Sequence, residues 1–181
     1  LSNGVKFYFD KIGLKKKIRI VNRLDRNTSG IVIFAKNEYI QEALIRQMQS
    51  KEFKKEYLAI VEGILQEKSG TLNFPIARKD GSIIERCVKQ DGEKAITHYN
   101  VLKDCNKLSL IHIVLETGRT HQIRVHFSHI GHPILGDTLY GNTSNLISRQ
   151  ALHSFKVSFI HPISQEKLSL EAPIPDDMKI L

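Results

Sequence analysis

The chain has 181 residues, with 27 Lys+Arg against 19 Asp+Glu for a net charge of +8 and a pI near 9.5. This length fits one domain of about 100–200 residues, and 41% apolar with 25% charged residues is a globular balance that excludes a disordered chain. The longest apolar runs, Ile31–Ala35 and Tyr57–Val61, fall far short of a membrane helix of about 20 residues.

No secretory pattern opens the chain. Cys87 and Cys105 stand alone without a CxxC pair, which fits a reducing compartment and excludes a disulfide scaffold. The positive charge is clustered: Lys6, Lys11, Lys15, Lys16, Lys17, Arg19, Arg23 and Arg26 face only Asp10 and Asp25 within residues 1–30. Such a cluster attracts a polyanion. A solvated lysine-rich face fits the same residues equally well.

In chain order, Ile18–Val21 and Ile31–Lys36 read as strands flanking a polar loop, Asn22–Gly30. Glu38–Lys51 reads as a helix, because Ile40, Leu44 and Met48 repeat at i+4 and Asn37 suits the N-cap. Lys55–Glu62 and Thr71–Arg78 are expected strands, with Asp80-Gly81 and Asp91-Gly92 as turn signals. Ala95–Lys103 and Leu108–Glu116 then form a hairpin around Asp104–Lys107. A second helix is expected over Thr120–Ile130, stopped by Gly131 and Pro133. Strands at Ala151–Ile160 and Lys167–Glu171 close the chain. Many strands, few helices and hairpin turns predict an α+β fold with a mostly antiparallel sheet. Neither GxGxxG nor a Walker sequence occurs, which disfavours nucleotide cofactors.

Three segments carry chemistry. Asn22-Arg23-Leu24-Asp25-Arg26-Asn27-Thr28-Ser29-Gly30 sets Asp25 between two arginines. Nearby positive charge favours the ionised carboxylate, suited to a nucleophile or charge stabiliser. A structural loop aspartate fits too, and Ser29 lacks the GxSxG elbow of a hydrolase. In Gly118–His126, His121, Arg124 and Ser128 share a polar helix face opposite Ile123, Phe127 and Ile130. His121, His126, His129 and His132 raise a metal site, yet only two pairs have helical spacing and HExxH is absent, so hydrogen-bonded or surface histidines fit better. In Lys54–Val61, Tyr57 shares a sheet face with Ala59 and Val61, as a core tyrosine would.

Together these segments resemble the RluA family of pseudouridine synthases. Arg23-Leu24-Asp25-Arg26 with Thr28-Ser29-Gly30 is similar to its signature loop, and Lys55-Glu56-Tyr57-Leu58-Ala59 with Gly63 to its second motif. Lys94–Tyr99 resembles its central strand. Gly118–His126 with Gly131–Asp137 resembles its longest block, and Leu152-His153 and Glu171-Ala172-Pro173 its closing strands. The blocks run in the family's order over residues 18–173. Asn22 stands where the family usually has His.

The resemblance implies the pseudouridine synthase fold, a mixed, mostly antiparallel sheet with a central RNA-binding cleft. It implies isomerisation of uridine to pseudouridine in ribosomal or transfer RNA, with no cofactor and no metal. By the same resemblance Asp25, Tyr57 and Arg124 are the catalytic set, and Arg23, Arg26, Arg119 and His121 contact the RNA. Residues 1–181 are then one catalytic domain lacking the family's N-terminal strand, with its Lys-Pro-x-Gly motif, and any appended RNA-binding domain. A cytoplasmic monomer with no membrane partner is expected. An inactive RNA-binding module on the same fold is the alternative.

Overall fold

The computed structural model describes residues 1–180. Its helices are α1 (Ser2–Lys11), α2 (Glu38–Gln49) and α3 (Gln122–His129). Its strands are β1 (Arg19–Ile20), β2 (Ser29–Gly30), β3 (Phe34–Ala35), β4 (Lys54–Glu62), β5 (Ser69–Asn73), β6 (Ile76–Arg78), β7 (Arg86–Val88), β8 (Ile96–Cys105), β9 (Leu108–Leu115), β10 (Leu152–Ile160) and β11 (Lys167–Glu171). A 3-10 turn at Asp176–Met178 follows. The main sheet runs β11-β10-β4-β9-β8-β5, antiparallel throughout, with β2 added in parallel to β10. The fold is α+β and mostly antiparallel, as the strand pattern predicts. Among the described residues no helix is long and apolar enough to cross a membrane.

The central strand is β4. Its run Tyr57–Val61 is buried along its whole length, because α3 and the loop after it cover one face and other apolar groups the second. Such two-sided burial explains a continuous apolar run where a half-exposed strand would alternate. Phe127 and Ile123 of α3 pack with Ile111, Ile113 and Ile134 in that core. A second cluster beneath α2 joins Leu44 and Ala35 to Phe53 and Phe159, whose rings stack 5.5 Å apart.

Several boundaries follow directly from local chemistry. The Asn37 side chain accepts the Ile40 N–H at 2.9 Å and starts α2 as its N-cap. The β8–β9 hairpin turns on Asn106 and Lys107, both with positive φ, which matches the right-handed twist of the paired strands. Several elements differ from expectation: the end of the predicted loop, Ser29–Gly30, is strand β2, and the strands predicted over 18–21 and 31–36 shorten to β1 and β3. The single strand predicted over 71–78 is two, β5 and β6, broken at Phe74-Pro75, where proline brings no N–H to a ladder. The segment after it folds back as β7 through the Asp80-Gly81 turn. Helix α1 has no counterpart in the apolar periodicity: only Phe9 is buried, no side chain caps it, and a Lys6–Asp10 pair spans one turn.

Candidate active site

Asp25 sits in a loop fixed from both sides. At its base, Asn22 is buried and bridges the chain: its side-chain oxygen accepts the Ile33 N–H at 2.7 Å, and its amide donates to the Ile31 carbonyl at 3.2 Å. The amide serves both ends of the loop, so asparagine here has a structural reason of its own. At the tip, Asn27 at φ +69° and a bond from Thr28 N–H to the Asp25 carbonyl (3.0 Å) reverse the chain. Gln150 donates to the Arg26 carbonyl at 2.6 Å, and Ser29 lies 2.9 Å from His153 Nδ1. Gly30, at φ +111°, lies against β10 so closely that a Cβ there would meet the Ser154 carbonyl oxygen at 2.2 Å. Only glycine fits that approach.

Opposite the loop stands Tyr57. Strand β10 bulges between His153 and Lys156, facing Tyr57 of β4, and a bulge of this kind re-aims strand and side chains beside a site. Tyr57 is buried, and burial pushes its phenol up to about 12, with the Asp25 charge adding to the rise. The hydroxyl is therefore neutral at physiological pH.

Arg124 comes from α3, whose start is set by His121 in the left-handed conformation at φ +58°. The predicted polar face of this helix is covered rather than solvated, since Gln122 through Phe127 are all buried. It packs against the loop that follows. Arg124 Nε and Nη2 donate to the two carboxylate oxygens of Asp137 at 2.6 and 2.7 Å, a paired geometry that only a guanidinium provides. The same Asp137 carboxylate accepts the Leu139 and Tyr140 N–H groups at 3.0 and 3.2 Å. With that edge committed, Nη1 reaches to 3.6 Å from Asp25, an ion-pair contact rather than a hydrogen bond. Burial opposes the Arg124 charge, but hydrogen bonds and charge from Asp137, then Asp25, outweigh it and hold its pKa above the usual arginine value. The Tyr140 ring lies under the guanidinium at 5.0 Å.

These groups surround a cavity of about 320 Å³ lined by Arg23, Asp25, Lys55, Tyr57, Arg119 and His121 among others. The volume suits a small ligand. Of the residues singled out in the sequence, Arg124 lies behind this lining and Arg26 outside it, exposed, with only its carbonyl engaged. Arg119 is exposed, donates to the Lys94 carbonyl at 3.0 Å and pairs with Glu93. His121 Nδ1 is 2.7 Å from the Tyr140 hydroxyl, which itself accepts the Arg86 N–H at 2.8 Å. Burial lowers the His121 pKa against the pull of Asp25.

The remaining histidines are dispersed. His126 is fully buried between Thr97 Oγ1 (3.0 Å) and the Phe74 carbonyl (2.9 Å), and burial lowers its pKa. His129 packs on the Phe74 ring, and His132 bonds the Glu62 carbonyl. Asp137, Tyr140 and Lys55 are the contributors that residue patterns did not single out. For Lys55 a signal existed, since its i, i+2 spacing places it on the Tyr57 face of β4.

The chain is similar to proteins of one known family. The sequence pattern of the RNA pseudouridylate synthase family matches residues 2–129. The chain is 45% identical over 181 residues to the uncharacterized RNA pseudouridine synthase YjbO of Bacillus subtilis, covering 100% of this chain and 64% of that protein. It is 44% identical over 171 residues to ribosomal large subunit pseudouridine synthase D of Nitrosomonas europaea, covering 90% of this chain and 49% of the relative. It therefore spans 49% to 64% of the lengths of these relatives. Among solved structures, human RNA pseudouridylate synthase domain containing 1 superposes with a TM-score of 0.76 at 29% identity, over 87% of this chain and 69% of that one. On the family pattern and these relatives together, the chain belongs to the RluA family of RNA pseudouridine synthases.

Proposed function

We propose that this chain isomerises uridine in RNA to pseudouridine with the Asp25 carboxylate as the reacting group. One observation carries the reading: in a chain of this family, Asp25 lines a nucleobase-scale cavity with Tyr57 and meets the one guanidinium edge that Asp137 leaves free. The reaction breaks the N1–C1′ bond, turns the uracil, joins C5 to C1′ and releases the C5 proton, while N1 takes up a proton from solvent. Atoms balance without an oxidant or reductant. Asp25 acts as nucleophile or as base toward the sugar, and Arg124 keeps it charged and oriented in a site that desolvation would otherwise neutralise. Taking the uridine out of its stack costs a few kcal/mol. Cations at the mouth, Arg23 and Arg119, and His121 as a neutral hydrogen-bonding wall offset that cost.

Tyr57 serves as the platform for the uracil ring. At a pKa of about 12, forming its phenolate at pH 7 costs about 7 kcal/mol, which disfavours it as the acceptor of the C5 proton. Tyr57→Phe, which keeps the ring, therefore loses less activity than Tyr57→Leu. Relatives named as ribosomal large subunit synthases favour ribosomal RNA over transfer RNA as substrate, and hence cytoplasmic action. The test is tritium release from [5-³H]uridine-labelled ribosomal and transfer RNA. Release with pseudouridine in the digest is expected from ribosomal RNA. Tight RNA binding with no release from either would make the chain a binding module instead.

A further inference from the structure

The catalytic cavity does not end at Tyr57. Across Lys55, Gly118 and Arg119 it opens into a second, larger hollow of about 760 Å³ between α2 and the end of β9. The floor of this groove is apolar, with Met48 and Leu115, and its walls carry Lys51, Lys54, Lys55 and Arg119 against Glu56 and Glu116. Both carboxylates are already engaged: Glu116 by Lys51 and His98, and Glu56 by His112 at 2.8 Å. Arg119 is paired with Glu93. Lys54 and Lys55, in contrast, have no carboxylate within 4 Å among the described residues.

Lys55 is the unusual one. It is half-buried, on the same face of β4 as Tyr57, and lines both hollows. Gly118 leaves room for its ammonium: a Cβ there would stand 2.9 Å from Nζ, although the glycine backbone has an ordinary φ. Burial lowers its pKa, because the ammonium loses water there. A partly desolvated cation at the junction of two basic hollows is matched by an anion that arrives with the ligand.

We propose that the groove between α2 and β9 carries the RNA strand next to the extruded uridine, and that Lys55 contacts the phosphate flanking that nucleotide. This rests on the uridine-isomerase reading for the identity of the extruded base. An apolar floor beneath lysines is the arrangement by which single strands are held, bases against the floor and phosphates against cations. Lys55 is thus a substrate-positioning residue, and the groove selects for unpaired RNA beside the target.

The test measures RNA affinity in an Asp25→Asn background, where binding can be read without turnover. The probes are a single-stranded RNA and a short hairpin with one loop uridine, each titrated with salt. Lys55→Gln is expected to weaken binding about tenfold and to lower the salt slope by about one, as loss of one phosphate contact does. Lys55→Arg should retain most of the affinity. A neutral methylphosphonate at the flanking position of the hairpin should weaken the parent and add nothing in Lys55→Gln. An unchanged salt slope in Lys55→Gln, or methylphosphonate losses that add to the mutation at every position, would overturn the proposal. Failure of the isomerase reading shows separately, as no pseudouridine from the wild-type chain, while the salt slope still decides whether Lys55 meets a phosphate.

Discussion

Arg124 and Arg119 are five residues apart in sequence and border the same cleft, but the fold places them in opposite physical regimes. Arg124 lies in a dry floor: its side chain is 8% exposed, its carboxylate partner Asp137 is 0% exposed, and every donor on one edge is committed. Arg119 lies on a wet rim, paired with a Glu93 whose side chain is 70% exposed. In the floor, geometry is fixed and loss of a partner strands a charge. At the rim, water and salt replace a lost partner at little cost. Under the proposed function, the floor holds the reacting carboxylate and the rim attracts and releases a polyanion. Floor variants should change folding and turnover, and rim variants should change affinity and its salt dependence.

The sharpest way to break that distinction is Arg124→Met. It leaves Asp137 buried without its cation, and chemical denaturation should show a loss of about 3–5 kcal/mol together with loss of activity. Arg124→Lys keeps the charge without the paired donors and should fall between wild type and Met on both measures. A fully stable Met variant would place the floor in the rim's regime.

Asp137→Asn should come next. The amide oxygen still accepts the Leu139 and Tyr140 N–H groups, so the stability loss should be smaller, about 1–3 kcal/mol. Because Asp137 acts through Arg124, kcat should fall more than KM rises. Equal effects of Asp137→Asn and Arg119→Gln on kcat would erase the contrast.

Acid separates the two regions in another way. His126 is buried and neutral with its pKa lowered from 6.5, so the unfolded chain binds a proton that the folded chain resists. Stability is present above about pH 6.5 and falls as pH drops below it, by up to about 1.4 kcal/mol per pH unit for that proton. Melting curves between pH 7.5 and 5.5 should show the decline, and His126→Gln should reduce it, leaving the share of His121 and His153, whose pKa values burial also lowers. The smallest effect belongs to the rim. Arg119→Gln and Arg23→Gln should shift stability by no more than about 0.5 kcal/mol, while each lowers the salt slope of RNA binding by about one.

Much of this contrast was legible in the residues, and the gaps have physical causes. Strands β4, β9, β10 and β11 and helix α2 follow from periodicity and from the Asn37 cap. Asp25, Tyr57, Arg23, Arg119 and His121 line one cavity. Asp137 was quoted only as the end of a motif, because its partner is 13 residues away across a loop and no helical or strand spacing links them. Arg26 adjoins Asp25 in sequence, but it is exposed outside a cavity that Asp25 and Thr28 on either side of it line. Helix α1 buries one side chain, too few for an apolar stripe to register.

The central claim is that the Asp25 carboxylate, held by the free edge of Arg124, carries the reaction. It is tested most directly by single-turnover conversion of [5-³H]uridine RNA at saturating Asp25→Asn protein, with RNA affinity and thermal stability measured on the same sample. The amide keeps the size and place of the carboxylate and removes its charge. Wild-type affinity and folding are expected, with conversion reduced by about a thousandfold or more. Conversion near the wild-type rate would contradict it, because the reacting group would then lie elsewhere in the cleft.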